Sequence, residues 1–343
     1  MRTVLRILRP VVLASLIAYV PSGMAASPAH HTRDGFRNLE PTSHGGLGVA
    51  LPFFARRIWS NLTGRTGAAA AVPNDGAFLR ENARHSVPTV TWIGHSTVLV
   101  QMDGVTFLTD PIWADTAGPV SGLGARRLVP PALALDALPP IDFVVVSHAH
   151  YDHTDLPTLR ALATRGTRMF VPLRLGEVLR NDGIAAVTEL DWWDSAGVGR
   201  VTLTCVPARH WSRRGLFDEN ETLWSGWVVV GPTRRFYFAG DTGAFAGFAE
   251  IGERLGPFDL AALPIGAYEP AAMMRAVHMN PEEAVSAAET VRAERVLGVH
   301  WGTFDLTDEP LAEPPARFHR EAARRGLAGE RFLTPALGET RQW

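Results

Sequence analysis

The densest chemistry in the chain is "SHAHYDH", residues 147–153, where His148, His150, Asp152 and His153 fall within six positions directly after an apolar run. Histidine is sparse elsewhere, 12 in 343 residues, so the crowding is specific to this stretch. Imidazole nitrogen and carboxylate oxygen are natural ligands of Zn²⁺ where thiolate is lacking. Thiolate is nearly lacking here: Cys205 is the one cysteine, which excludes both a cysteine-rich zinc site and an internal disulfide. Three imidazoles crowded together without a metal would leave their nitrogens in need of scattered partners. The pattern H-x-H-x-D-H therefore predicts a metal site, with a surface histidine patch as the bland alternative.

Side chains in a strand alternate between faces, so a strand through this stretch would align, of the three histidines, only His148 and His150. The strand "IDFVVVS" (141–147) must end near Ser147, which leaves all four side chains in a loop at its C-terminal edge. Mixed α/β sheets place their chemistry at that edge. Short strands are expected at 89–94, 97–102 and 105–110, with an Asp-Gly turn between the last two. Others are expected at 199–206, 225–231, 234–239, 259–265 and 295–300. "DLPTLRALATR" (155–165) reads as a helix with Asp155 as N-cap, and 281–293 as a helix capped by Asn280, opened by Pro281 and boxed by Glu283. Hairpins followed by alternating strands and helices predict an α/β (α+β) fold of two mixed sheets packed face to face, with helices outside. His210, Asp241 and His300 each follow an apolar strand, at the same kind of junction as the cluster.

The hydrophobic fraction of 46% and charged fraction of 20% are those of a globular protein. A net charge of −2 gives no basic surplus for a nucleic-acid partner. Arg2, Arg6 and Arg9, the apolar "VVLASLIAYV" and the small residues of "PSGMAAS" read as a signal peptide over 1–26, cut after Ala25 or Ala26, with an uncleaved membrane anchor as the alternative. The expected location is therefore exported, periplasmic or membrane-associated. Residues 27–87 read as an N-terminal extension; its "LPFFARRIWSNL" (51–62) is apolar and basic, suited to packing on the core or resting on a lipid surface. Residues 88–343 form the main domain, and nothing in the sequence specifies an oligomer.

"SHAHYDH" resembles the signature of the metallo-β-lactamase fold, an αββα sandwich. "TWIGHSTVLVQMDGVTFLTDPIW" (91–113), "ELDWWD" (189–194), "RHW" (209–211), "FAGDTG" (238–243), "PFDLAALPIGAYEP" (257–270), "HMNPEEAV" (278–285) and "GVHWGTF" (298–304) then follow in the order of one branch. That branch is the N-acyl-phosphatidylethanolamine-hydrolysing phospholipase D family. The resemblance implies two Zn²⁺ per chain, though Fe, Mn or Co would also suit a His/Asp site. One metal would be held by His148, His150 and His210, the other by Asp152, His153 and His300, with Asp241 bridging. Two dications less two carboxylates and one bridging hydroxide leave a formal charge of about +1, complementary to a phosphodiester. The implied reaction is cleavage of N-acyl-phosphatidylethanolamine-like lipids to N-acylethanolamine and phosphatidic acid by that hydroxide. Asp152, Asp241 and His278 would be catalytic, His278 on the substrate side. Tyr268 and Glu269 would wall the pocket, and His95 would sit near Asp110 behind the metals.

The rival reading on the same metal core is a lactonase, thioesterase or β-lactamase-like hydrolase of a small anionic substrate, because the ligands alone do not separate these chemistries. A second rival, a metal- or lipid-binding protein without turnover, predicts a broken ligand set. A lipid substrate calls for an apolar approach, for which "LPFFARRIW", Trp113, Trp192, Trp193 and Trp211 are the candidates, together with peripheral membrane contact.

Overall fold

Runs such as "FVVV" (143–146) are apolar on both faces, so a strand built from them must be covered on both sides. The structure, a computed structural model describing residues 27–42, 46–64, 67, 69–120 and 122–343, provides that cover in four layers. The expected signal peptide and His44 lie outside the described residues. The strands are β1 (Thr89–Gly94), β2 (Thr97–Met102), β3 (Val105–Thr109), β4 (Thr116–Val120), β5 (Leu123–Arg126), β6 (Phe143–Val145), β7 (Arg168–Pro172) and β8 (Val187–Leu190). There follow β9 (Ser195–Val198), β10 (Val201–Val206), β11 (Gly226–Val230), β12 (Arg235–Phe238), β13 (Phe258–Pro264), β14 (Ala293–Val299), β15 (Phe332–Leu333) and β16 (Thr340–Gln342). One sheet has the order β16-β1-β2-β3-β6-β7-β8 and the other β15-β14-β13-β12-β11-β10-β9, while β4 and β5 pair as a separate hairpin.

Alternation along each strand assigns the layers. Phe143 and Val145 join Trp92, Phe107, Trp227, Phe236 and Phe238 in the core between the sheets. Val144 and Val146 turn outward to a second core, beneath α2 (Ala77–His85), α3 (Leu156–Ala163) and α4 (Leu175–Asn181). Tyr237 and Ala239 do the same on the other sheet, beneath α5 (Gly247–Leu255), α7 (Pro281–Thr290) and α8 (Glu313–Arg324). The four-residue α6 (Ala271–Met274) lies between α5 and α7 in the chain.

The elements differ from the sequence expectation mainly at their ends. The strand expected over 141–147 has ladder pairing only at Phe143–Val145, because its neighbours β3 and β7 engage only those residues. The helix expected to reach residue 293 stops at Thr290, and Arg292 turns into the left-handed region at φ 60° to start β14. Asp155 precedes α3 without capping a backbone amide of it. Its carboxylate instead accepts from the Trp113 and Ala114 amides and from Thr158 Oγ1. The box at α7 is complete: Asn280 Oδ1 accepts from the Glu283 amide at 2.8 Å and Glu283 Oε2 from the Asn280 amide at 3.2 Å.

The segment 51–62 falls within α1 (Leu47–Thr63), which both packs and presents an apolar face. Phe53 is buried, and Arg57 pairs with Asp305 at 2.6 Å and Asp308 at 2.8 Å. Leu51, Phe54, Ile58 and Trp59 remain exposed on the same helix. No helix among the described residues is long and apolar enough to cross a membrane.

Candidate metal centre

Strand direction brings the chemistry to one edge. β3 and β6 run parallel, as do β12, β13 and β14; β10 is antiparallel to β11 and β11 to β12, so β10 runs with β12. The residues following these strands therefore emerge together: Asp110 after β3, His148–His153 after β6, His210 after β10, Asp241 after β12 and His300 after β14. The Ser225 amide donates to Ser147 O at 2.9 Å and the His300 amide to His95 O at 3.1 Å, tying the two sheets at that edge. Backbone strain gathers here. His95, Asp110 and His300 have φ of 54°, 35° and 62°, a region that residues with a side chain seldom occupy. Gly240, at φ 61°, lies against Ser147 so closely that an added Cβ would come within 2.7 Å of its side chain.

Two groups of polar atoms result. His148 Nε2 lies 2.8 Å from His150 Nδ1, and His210 Nε2 lies 3.3 Å from the same atom. Three ring nitrogens aimed at one point are the arrangement of ligands around a cation. Beside them, His153 Nε2 and His300 Nε2 approach Asp241 Oδ2 at 3.1 and 3.0 Å and Asp152 Oδ2 at 3.3 and 3.6 Å. Asp241 Oδ2 also lies 3.9 Å from His210 Nε2, so it stands between the two groups. His153 Nε2, His300 Nε2 and Asp241 Oδ1 are buried without a hydrogen-bond partner. Such orphans are costly unless something else satisfies them, and metal cations suit this imidazole–carboxylate set. All seven residues singled out from the sequence meet in this one site.

The ionisation of the cluster follows its charges. Burial, the largest influence on Asp152 and Asp241, favours their neutral form, yet His153 and His300 outweigh it and hold both well below the usual carboxylate range. Burial likewise opposes charge on His153, but Asp241, Asp152 and Asp110 raise it well above the ordinary imidazole value; His300 is raised against burial to about 9, chiefly by Asp241. Burial holds His148 and His210 well below their usual value and lowers His150 to about 4, leaving neutral rings with lone pairs to offer.

The second ring nitrogens of His153 and His210 are fixed from behind. Asp110 Oδ2 lies 2.6 Å from His153 Nδ1, while the Ser147 amide and hydroxyl donate to Asp110 at 2.7 and 2.5 Å. His210 Nδ1 lies 2.9 Å from Val277 O. His95 contacts Asp152 Oδ2 at 2.9 Å, so its polar contact is to that carboxylate rather than to Asp110. Asp110 as the orienting partner of His153 is absent from the sequence reading. Its signal was available, an aspartate directly after an apolar strand, the same one that marks Asp241. Asn38 is also absent from that reading. It pins the His210 backbone at both ends, Nδ2 to the carbonyl at 2.7 Å and Oδ1 to the amide at 3.1 Å.

A pocket of about 490 Å³ opens on the cluster. Its floor includes His150, Asp152, Asp241, His278 and His300, and its walls Phe53, Phe54, Trp211, Met273, Met274 and Leu306. His278 Nδ1 is buried without a partner, 3.9 Å from Asp241 Oδ2. Tyr268 and Glu269 line a smaller recess that shares His278, not this pocket. Of the four tryptophans considered for an apolar approach, only Trp211 lines it. Trp113 bonds Leu133 O and lines a neighbouring cleft, Trp192 is buried with its Nε1 on Trp224 O, and Trp193 lies beneath Arg254. Those three are held by structural contacts that their spacing does not reveal.

The layers and the strand-end cluster define a metal-dependent hydrolase of the metallo-β-lactamase fold. Residues 106–301 match the family described as beta-lactamase superfamily domain. The chain belongs to that superfamily and, within it, to the family of the N-acyl-phosphatidylethanolamine-hydrolyzing phospholipases D. It is 47% identical to phospholipase D 1 of that name from Caenorhabditis elegans, over 73% of this chain and 74% of the relative. An uncharacterized protein from Mycobacterium tuberculosis is 49% identical over 90% of this chain and 83% of its own length. Among solved structures, a metallo hydrolase from Ignicoccus hospitalis superposes with a TM-score of 0.57 at 26% identity, covering 75% of this chain and 98% of that one. An isothiocyanate hydrolase from Delia radicum gut bacteria does so at 0.60, over 74% of this chain and 99% of that one; at 20% identity it speaks for the fold alone.

Proposed function

We propose that the protein is a phospholipase D-type phosphodiesterase acting on N-acyl-phosphatidylethanolamine-like lipids, with two Zn²⁺ held by the seven strand-end residues. The carrying observation is the pocket: apolar walls of Phe53, Phe54, Met273, Met274 and Leu306 stand directly over a polar floor of imidazole and carboxylate. That combination suits a molecule with acyl chains and one anionic headgroup. The 47% identity to a relative named for this substrate supports the same reading.

His148, His150 and His210 would hold one ion and Asp152, His153 and His300 the other, with Asp241 shared between them. When bound, such a pair supplies Lewis acidity and lowers the pKa of water to about 7. In the overall reaction the bond between phosphorus and the ethanolamine oxygen breaks. The water oxygen goes to phosphorus to give phosphatidic acid, and the departing amide alcohol takes a proton. His278 lines the pocket and would hold a phosphoryl or leaving oxygen there. Asp110 and His95 keep His153 and Asp152 oriented, while Phe53 and Phe54 exclude water from one side. The exposed Leu51, Phe54, Ile58 and Trp59 of α1, beside this mouth, suit contact with a bilayer surface.

The test is a side-by-side panel of an N-acylated phospholipid, a simple phosphodiester and a lactone, given to zinc-loaded protein with products identified by mass spectrometry. Release of N-acylethanolamine and phosphatidic acid is expected. Turnover of the lactone alone would replace this reading with the lactonase one.

A further inference from the structure

A second group of metal-ligating side chains lies away from the strand-end cluster and shares no residue with it. His30 and His31 are neighbours in sequence, and adjacent residues of an extended chain point to opposite sides. Here the chain folds back instead. The Thr32 amide donates to Gly35 O at 2.8 Å, and His31 bridges to Phe36. Both rings thereby converge on one carboxylate. His30 Nε2 lies 2.7 Å from Asp191 Oδ1 and His31 Nε2 lies 2.8 Å from Asp191 Oδ2. The rings meet edge to face at 4.6 Å, and His30 stacks on Trp192 at 4.2 Å. Asp191 is itself fixed: its amide donates to Asp194 Oδ2 and its Oδ1 accepts from the Trp192 amide at 2.8 Å.

We propose that His30, His31 and Asp191 form a structural site for a zinc-class divalent cation that staples the N-terminal segment to the core. Two imidazole nitrogens and one carboxylate oxygen make three of the four ligands of tetrahedral zinc. The fourth place has access to water, because the side chains of His31 and Asp191 keep 27% and 17% of their exposure. Bonds of about 2 Å to zinc separate tetrahedral ligands by roughly 3.3 Å. The two rings sit on different oxygens of Asp191, at 2.7 and 2.8 Å, and all three groups offer a ligand atom within 4.8 Å of one another, so binding would part each nitrogen from its oxygen by about half an ångström. Burial holds His30 below its ordinary pKa despite Asp191, so the ring offers a lone pair rather than a charge. The staple has a consequence for the hydrolytic site. The same segment continues through Phe36, whose amide donates to Asn220 O, to Asn38, which pins His210. An ion at His30–His31–Asp191 would hold that segment taut.

The experiment uses the full chain with its strand-end cluster already loaded. Zinc content at fixed free zinc is measured for the wild type and for the double variant His30→Gln, His31→Gln. Melting is followed as further zinc is added, and histidine accessibility is mapped with diethyl pyrocarbonate and mass spectrometry. The wild type should carry one more equivalent than the variant, gain Tm on zinc addition where the variant does not, and show His30 and His31 protected several-fold by zinc. Should the variant fail to fold, the footprint on the wild type decides by itself. Equal zinc contents, or His30 and His31 modified at the same rate with and without zinc, would overturn the proposal and leave a hydrogen-bonded clip.

Discussion

At the scale of single residues, the site works through side chains that never face the pocket. Asp110 is fully buried and has three partners, the Ser147 amide, the Ser147 hydroxyl and His153 Nδ1. Removing such an orienting carboxylate costs 10–100-fold in metal affinity or activity in comparable sites. Asp110→Asn is therefore expected to weaken zinc binding by about that factor, read by chelator competition, with the helical circular dichroism unchanged. His278→Ala should leave zinc content intact and lower kcat/KM by about 10²-fold, the contribution of one positioned proton-handling group; an unchanged kcat/KM would remove it from the chemistry. Cys205 behaves oppositely to a reactive thiol. Burial raises its pKa far above the ordinary value, and it sits in β10 between the sheets. Iodoacetamide should leave it unmodified in native protein and label it fully in urea.

Elements were legible where period and punctuation agreed. The Asn280–Glu283 box was readable because both of its hydrogen bonds are local, and Asn280→Ala should cost about 1 kcal/mol in urea unfolding. Element ends were not legible, because a strand stops where its neighbour stops pairing, and Phe143 in β6 pairs with Phe107, 36 positions earlier, and with Arg168, 25 positions later. The double character of α1 was equally hidden. Its anchor depends on Asp305 and Asp308, distant residues that no local pattern links to Arg57. Arg57→Ala removes the two ion pairs that tie α1 to Asp305 and Asp308. The expected outcome is lower stability with new protease cuts within residues 47–63, partly rescued by Arg57→Lys.

At the scale of the whole molecule, the seven candidate ligands were readable because each lies in a loop that follows an apolar strand, and parallel strands deliver their ends to one edge. What the sequence did not disclose was everything that depends on packing across the sheets: the shared pocket wall from α1, the recess that takes Tyr268 and Glu269, and the burial of Trp192. Because the cluster joins both sheets, metal occupancy should stabilise the fold as a unit. An ion present at 100 times its Kd adds about 2.7 kcal/mol, so chelation should lower Tm and reloading restore it. Recovery of hydrolysis without recovery of Tm would place the stabilising ion elsewhere.

Asn38 and Phe53 lie far upstream of residue 106, where the match to the superfamily begins, yet one fixes His210 and the other closes the pocket. The apolar wall of the pocket is thus assembled from two stretches, Phe53 and Phe54 upstream and Trp211, Met273, Met274 and Leu306 in the main domain. A change within residues 27–63 therefore reaches both His210, through Asn38, and the apolar pocket wall, through Phe53 and Phe54. Exchanging that stretch between two relatives should carry acyl-chain preference with it and leave the identity of the bond cleaved as it was.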